Sequence, residues 1–326
     1  MSNQIRGIHH VTAMTSSAKK IYRLFTDVLG LRLIKKTINQ DDIETYHLYF
    51  TDDVGSPGTD ITFFDFPQVP KGKKGTNSIS RISFRVKNDA ALDFWIQRFE
   101  NYQLTHGEIQ ERFGKKYVEF EDFDQQAYQL ISDKTNSGVP GGIPWKNSSI
   151  PEENALLGLG PVFVTTNDYS HMQEVLLDVL GFTLVQSEGS YHLFEVDNGG
   201  NGASIILQVD TNSPEATEGY GNVHHLALRV DDKEALTYWI KEISQREFPN
   251  SGFVDRFYFK SEYFLAAPHI LFELATDGPG FLEDETYEHA GEKLSLPPIL
   301  ESKREMIEEY IIPFDSSDAN IQRKDS

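Results

Sequence analysis

The chain repeats itself, and that constrains the fold more than any other feature. DVLGLRLI begins at Asp27 and DVLGFTLV at Asp178, 151 residues later. RVKNDAALDFWIQRF begins at Arg85 and RVDDKEALTYWIKEI at Arg229, 144 residues later and without a gap. Leu92, Trp95, Ile96 and Phe99 fall on Leu236, Trp239, Ile240 and Ile243. Similar segments must adopt similar local structure, so the two offsets divide the chain into two like halves of two units each.

Each unit reads as a short alternating strand, a helix of about three turns, then several strand-like stretches. Ile21, Leu24, Phe25, Val28 and Leu29 form the apolar stripe of the first helix. Ser16 or Ser17 suits its start and Gly30 its end. Met172, Val175, Leu176, Val179 and Leu180 repeat that stripe, closed by Gly181. The expected class is α+β, with four βαβββ modules over residues 5–68, 78–134, 156–210 and 222–281. They group as an N-terminal domain (1–136) and a C-terminal domain (156–282) around a Gly/Pro/Ser/Asn-rich linker (137–155). Residues 283–326 hold one closing helix, KREMIEEYI from Lys303, and a flexible tail, DSSDANIQRKDS. Curved sheets placed side by side in pairs make open cups, with helices outside and strand faces lining a cavity.

Composition narrows the chemistry. Acidic residues outnumber basic ones 50 to 30, for a formal charge of −20. That disfavours nucleic acid and anionic lipid. No apolar run approaches a membrane span, and MSNQIRGIHH has no signal-like core, so a cytoplasmic protein is expected. The absence of cysteine excludes disulfides, thiolate nucleophiles and Cys-ligated metals. Any metal site must be built from His, Asp and Glu.

Strand alternation selects the residues that face the cups. In the second unit Ile82, Phe84 and Val86 face the helix, opposite Arg81, Ser83 and Arg85. In the fourth, Leu226, Leu228 and Val230 face it, opposite His225, Ala227 and Arg229. His10 and Thr12 point inward in the first unit, and His9 and His224 fall on the helix side. GIHHVT and NVHHLAL thus place His10 and His225 at matching positions. Glu273, in the apolar strand ILFELATDG, is a carboxylate that needs a partner when buried. The repeat offsets carry His225, Glu273 and His10 onto Arg81, Gln129 and Pro161. Units one and four should therefore share a metal-competent cup, and units two and three a cup without ligands. Two histidines and one carboxylate leave open metal positions, which suits Fe(II) and oxygen chemistry, with Mn(II) compatible. His47, Tyr49, Phe63 and Phe64 lie on strands of that cup, on faces the pattern does not resolve. His106, His171 and His289 read as surface residues.

At this point the sequence resembles the vicinal-oxygen-chelate superfamily, and within it the hydroquinone-type ring-cleaving dioxygenases. The motifs are GIHHVT, YHLYF with GSPGT, KKGTN, RFGKKYV, the VHHLA pair and the LFE strand, over about residues 5 to 312. The resemblance implies Fe(II) on His10, His225 and Glu273. It further implies Thr12, His9 and His224 near the site, and Arg256 and Tyr263 beside the substrate, in the roles of charge stabiliser and proton donor. The implied reactants are a small aromatic diol, para rather than ortho, and O₂, in aromatic catabolism or quinone detoxification. A homo-oligomer is compatible with this. One departure is the turn AAPH, where His269 stands in place of the family's usual Gly. Rival readings are a catechol enzyme, a thiol transferase, a glyoxalase and a metal-free aromatic- or drug-binding protein. For glyoxalase a second Glu is expected at a fourth place, which falls near Phe63 or Phe64.

Overall fold

The computed structural model describes residues 3–66 and 68–324. Module one consists of β1 (Ile8–Met14), α1 (Ala18–Arg23), β2 (Arg32–Ile38), β3 (Tyr46–Thr51) and β4 (Asp60–Phe64). Module two is β5 (Ser78–Val86), α2 (Asp89–Asn101), β6 (Thr105–His106), β7 (Gln110–Arg112), β8 (Lys115–Glu121) and β9 (Ala127–Ser132). A short strand β10 (Leu156–Leu159) precedes module three, which is β11 (Val162–Thr166), α3 (Tyr169–Glu174), β12 (Thr183–Glu188), β13 (Tyr191–Glu195) and β14 (Ser204–Val209). Module four is β15 (Val223–Val230), α4 (Lys233–Gln245), β16 (Val254–Asp255), β17 (Lys260–Ala267) and β18 (Ile270–Thr276).

The helices begin where the side chains permit. Ser17 accepts from Lys20 N at the start of α1, and Asp232 from Ala235 N at the start of α4. Both α1 and α3 run on into a π-helical turn, Leu24–Val28 and Val175–Val179. The matching ends, Gly30 and Gly181, take φ of +71° and +73°, open to glycine at little cost.

Sheet pairing crosses the halves. One sheet has the order β16-β17-β18-β15-β1-β4-β3-β2, joining module four to module one through β15 and β1. The other runs β12-β13-β14-β11-β5-β9-β8-β6 and joins modules three and two. This is the expected pairing, and it puts the two ends of the repeat in one cup. The helix-side faces merge into one core. Phe25 touches Phe50 and Phe63 of its own module and Phe84 and Tyr128 of module two. Truncating such a ring costs about 3–5 kcal/mol. Phe63 therefore belongs to this core and not to the cavity.

The C-terminal segment straps the first sheet. The closing helix, α5, spans Arg304–Tyr310. Phe281 packs on Tyr49 with ring centroids 4.8 Å apart, and Asp284 takes the buried Lys35 Nζ at 2.7 Å. The stretch expected to be a flexible tail is packed as far as it is described. Asp318 accepts from Tyr22 and Arg23, and Asn320 from Arg32. These partners are nearly 300 residues away, which local composition cannot register. Among the described residues no helix is long and apolar enough to cross a membrane.

Candidate metal centre

The site grows from the central strand pair. β1 and β15 run antiparallel with His10 opposite Ala227, Val11 opposite Leu226 and Thr12 opposite His225. The ladder slips between Ile8 and His10, and again between Thr12 and Ala13. Each slip is a bulge at the first histidine of a pair. Ile8, Val11 and Ala13 keep their place in the core, as do Leu226 and Leu228. His9 and His224 are displaced with their neighbours, away from the helices. Strict alternation had put these two on the helix side. An extra residue in each strand is what overturns it.

β18 lies parallel to β15 and sets Glu273 beside Ala227. His10, His225 and Glu273 are all buried and offer ligand atoms within 4.8 Å of one another. Among the described residues this is the one such group of three. Glu273 Oε2 stands 3.1 Å from His10 Nε2 and 3.0 Å from His225 Nε2. Its other oxygen is held by Ser261 Oγ. Burial alone would raise the Glu273 carboxyl, but the two imidazoles outweigh it and hold it well below the usual carboxylate range. Burial pushes His225 down. A divalent metal requires the carboxylate ionised and both ring Nε2 atoms bare.

The partner histidines set the tautomers. His9 Nε2 lies 3.1 Å from the Thr276 carbonyl, so that nitrogen carries the hydrogen. Its bare Nδ1 then accepts from His10 Nδ1 at 2.9 Å, which leaves the Nε2 of a neutral His10 as a lone pair facing Glu273. Burial lowers His9 to about 3, so it stays neutral. His224 Nδ1 meets His225 Nδ1 at 2.8 Å in the same manner. Burial lowers His224 to about 4. Unlike His9, it borders the cavity, where it meets the Phe64 ring at 5.5 Å.

That cavity, of about 350 Å³, has His10 and His225 at its base and His47, Tyr49 and Phe64 along one wall. Arg256 and Tyr263 form the opposite wall. Arg256 donates from Nε to Tyr263 Oη at 3.0 Å and from Nη2 to Asp41 at 2.8 Å. Burial opposes the Arg256 charge, but Tyr263 and Asp41 raise its pKa above the ordinary value. Burial likewise pushes Tyr263 up, so it stays a phenol. The Pro268-His269 turn sits at the outer end of the β17–β18 hairpin, with His269 at φ +62°. Thr12 Oγ1 is 2.9 Å from His225 Nε2.

One residue, Thr62, was missed, and the faces of His47 and Tyr49, left open by the sequence pattern, are resolved toward the cavity. β1 sets Thr12 beside Thr62 of β4, just as β15 sets Ala227 beside Glu273. The fourth place in the ring of ligand positions is therefore Thr62, not Phe63 or Phe64, and it offers a hydroxyl. Thr62 Oγ1 meets Thr12 Oγ1 at 2.7 Å and His47 Nε2 at 2.8 Å. Tyr49 Oη meets His47 Nδ1 at 2.8 Å. The signal for these lay in overlaying the β3–β4 hairpin on β17–β18, which needs the pairing register.

In the second cup the equivalent places are filled differently. Arg81 pairs with Glu119 at 2.8 Å and lies over Phe163. Gln129 and Pro161 border a space of about 10 Å³. Arg81 also borders a polar depression of about 280 Å³, with Ser80, Glu121, Thr165 and Gln208.

A family model described as the Glyoxalase/Bleomycin resistance protein/Dioxygenase superfamily matches residues 7–127 and 158–277. A Bacillus subtilis protein named "Putative ring-cleaving dioxygenase MhqA" is 42% identical over 315 residues, 95% of this chain and 99% of its own length. The Sphingobium indicum chlorohydroquinone/hydroquinone 1,2-dioxygenase is 31% identical over 313 residues, 94% of this chain and 95% of its own. A crystal structure of a Bacillus subtilis protein described as a "putative dioxygenase" superposes with a TM-score of 0.88 at 33% identity, covering 96% of this chain and 99% of that one.

Proposed function

Since the chain belongs to the glyoxalase/bleomycin resistance protein/dioxygenase superfamily, we propose that it is a ring-cleaving dioxygenase that opens a para-hydroquinone with O₂ at an Fe(II) held by His10, His225 and Glu273. The observation that carries the metal reading is Glu273 Oε2, buried and ionised, 3.0–3.1 Å from two imidazole nitrogens. Two histidines and one carboxylate on one face suit non-haem Fe(II). Bound there, Fe(II) supplies the electron exchange between ring and dioxygen that their direct reaction lacks.

The protein's own groups do the rest. A para-diol cannot present both hydroxyls to one centre, so side chains must fix the far one. Arg256 offers a fixed cation where negative charge gathers on oxygen. Because Arg256 Nε donates to Tyr263 Oη, the phenol keeps its own proton as the one it can give. When His225 Nε2 is bare, His225 Nδ1 donates to His224, and a neutral His224 carries its hydrogen on Nε2 as a further donor at the cavity. His47, Tyr49 and Phe64 supply an aromatic wall for the ring. A role in removing hydroquinones fits a chain without cysteine, since their oxidised forms attack thiols.

The test is anaerobic reconstitution with Fe(II), then oxygen uptake with methylhydroquinone and catechol side by side. Faster turnover of methylhydroquinone is expected. Faster catechol turnover overturns the substrate class alone, and no uptake with either overturns the dioxygenase reading.

A further inference from the structure

Thr62, His47 and Tyr49 form a file of hydrogen bonds that leads to the proposed metal centre, and its direction follows from that centre. The steps are Tyr49 Oη to His47 Nδ1 (2.8 Å), His47 Nε2 to Thr62 Oγ1 (2.8 Å), Thr62 to Thr12 (2.7 Å) and Thr12 to His225 Nε2 (2.9 Å). Before any metal binds, His225 Nε2 is bare when the ring hydrogen is on Nδ1, toward His224; it can then only accept, and the Thr12 hydroxyl donates to it. Each hydroxyl has one hydrogen. Thr12 therefore accepts from Thr62, and Thr62 from His47 Nε2. The Nδ1 of a neutral His47 then accepts from the Tyr49 phenol. Every donor in the file points toward the centre.

The second cup provides an internal control. Phe163 pairs with Ile206 where Thr12 pairs with Thr62, and Leu193 pairs with Ile206 where Tyr49 pairs with Thr62. There, Phe163, Leu193 and Ile206 close into a small apolar cluster. Among the described residues the polar file exists only in the cup that has the three ligand residues. Polar side chains in a buried wall cost stability relative to such packing, so their presence needs a use.

We infer that Tyr49, His47 and Thr62 are positioning residues that hold the Thr12 hydroxyl as a hydrogen-bond donor to the reacting oxygen. The inference rests on the dioxygenase reading above. When His225 Nε2 becomes a ligand it no longer accepts, and the Thr12 proton loses its acceptor. Thr62 blocks its return along the file, because Thr62 is itself donating to Thr12. His225 lines the cavity and lies 2.9 Å from Thr12 Oγ1, so an oxygen atom of a reactant held beside that ring is the acceptor we assign to this proton. No bond to hydrogen is broken in this arrangement; the file sets an orientation.

Thr62→Val cuts the file at its middle while keeping shape. It is expected to retain iron as the parent does but to lose about tenfold or more in kcat with little change in KM, and Thr62→Ser is expected to restore most of the loss. Protein loaded with diamagnetic Zn(II) gives a readout that needs no turnover. Long-range ¹H–¹⁵N spectra should show His47 with its hydrogen on Nε2, and Thr62→Val should perturb that ring's nitrogen shifts. A hydrogen on His47 Nδ1 reverses the file and overturns the inference. So does parent-like kcat in Thr62→Val. A parent that neither retains metal nor turns over hydroquinone overturns the dioxygenase reading itself, and this inference with it.

Discussion

The two cups share one strand plan and differ in what lines it. In the first, Glu273 lies beside Ala227; at the equivalent rung of the second, Gln129 lies beside Ser83. Thr12 faces His225 in one and Phe163 faces Arg81 in the other. Arg112 stands where the offset places Arg256. Arg256 reaches across the cavity mouth to Asp41, whereas Arg112 lies 4.0 Å over the Tyr191 ring and 4.7 Å over Tyr117. At the rungs that carry the ligand residues in the first cup, the second is occupied by cation–π and apolar contacts. The fold supplies the cup, and the residues at a few rungs decide whether it can do chemistry.

The comparison breaks most sharply at Glu273. Glu273→Gln gives the first cup the residue of the second at that rung, and kcat/KM is expected to fall by more than about a hundredfold, with iron per chain reduced. Metal analysis beside oxygen uptake checks both, and full activity would remove Glu273 from the centre. A paired exchange on the two arginines is next. Arg256→Ala should lower kcat/KM about 10–100-fold. Arg112→Ala should leave turnover per iron as it is and lower Tm by about 2–6 °C.

A third contrast concerns pH. Glu262, on the helix side of β17, is fully buried, and neither carboxyl oxygen has a hydrogen-bond partner. Burial raises it to about 7. The equivalent residue of the second cup is Val118, also fully buried. A carboxyl raised on folding binds its proton more tightly in the folded state, so stability falls as pH climbs from the ordinary carboxyl range through 7. Glu262→Val should therefore raise Tm by about 3–6 °C at pH 8 and by less at pH 5, read by calorimetry at both. The smallest effect is expected at Arg81. Its pair with Glu119 is partly exposed, and Arg81→Ala should cost about 0.2–1 kcal/mol in denaturant unfolding with iron content unchanged.

Much of this was legible in the sequence. The offsets of 151 and 144 gave the modules, and the distribution of ligands among them gave the cross-pairing of one with four. Alternation picked His10, His225 and Glu273 because their apolar neighbours mark the opposite face. It failed at His9 and His224, where the ladder slips, since periodicity assumes an unbroken one. It was silent on Thr62 and left the face of His47 and Tyr49 open, because their meeting depends on the register of β3 against β4 and of β4 against β1. The C-terminal strap was hidden for another reason. Its hold on Arg32, Lys35 and Tyr22 is made by contacts between distant segments, and local polarity resembles that of a free tail.

The pairing of β1 with β15 has a further consequence, for the order of events during synthesis. His10 and His225 are 215 residues apart in sequence, and Glu273 comes later still. Closing so long a loop is entropically costly and slow, so this sheet is a high-contact-order structure. A ribosome that has just released module one has made half a cup with an exposed central edge, a surface prone to wrong pairing. Modules two and three adjoin in the chain and can complete their own sheet first. The cup without ligands can then form the core on which the chain's two ends meet, and the three proposed ligand residues come together only after residue 273 has been made.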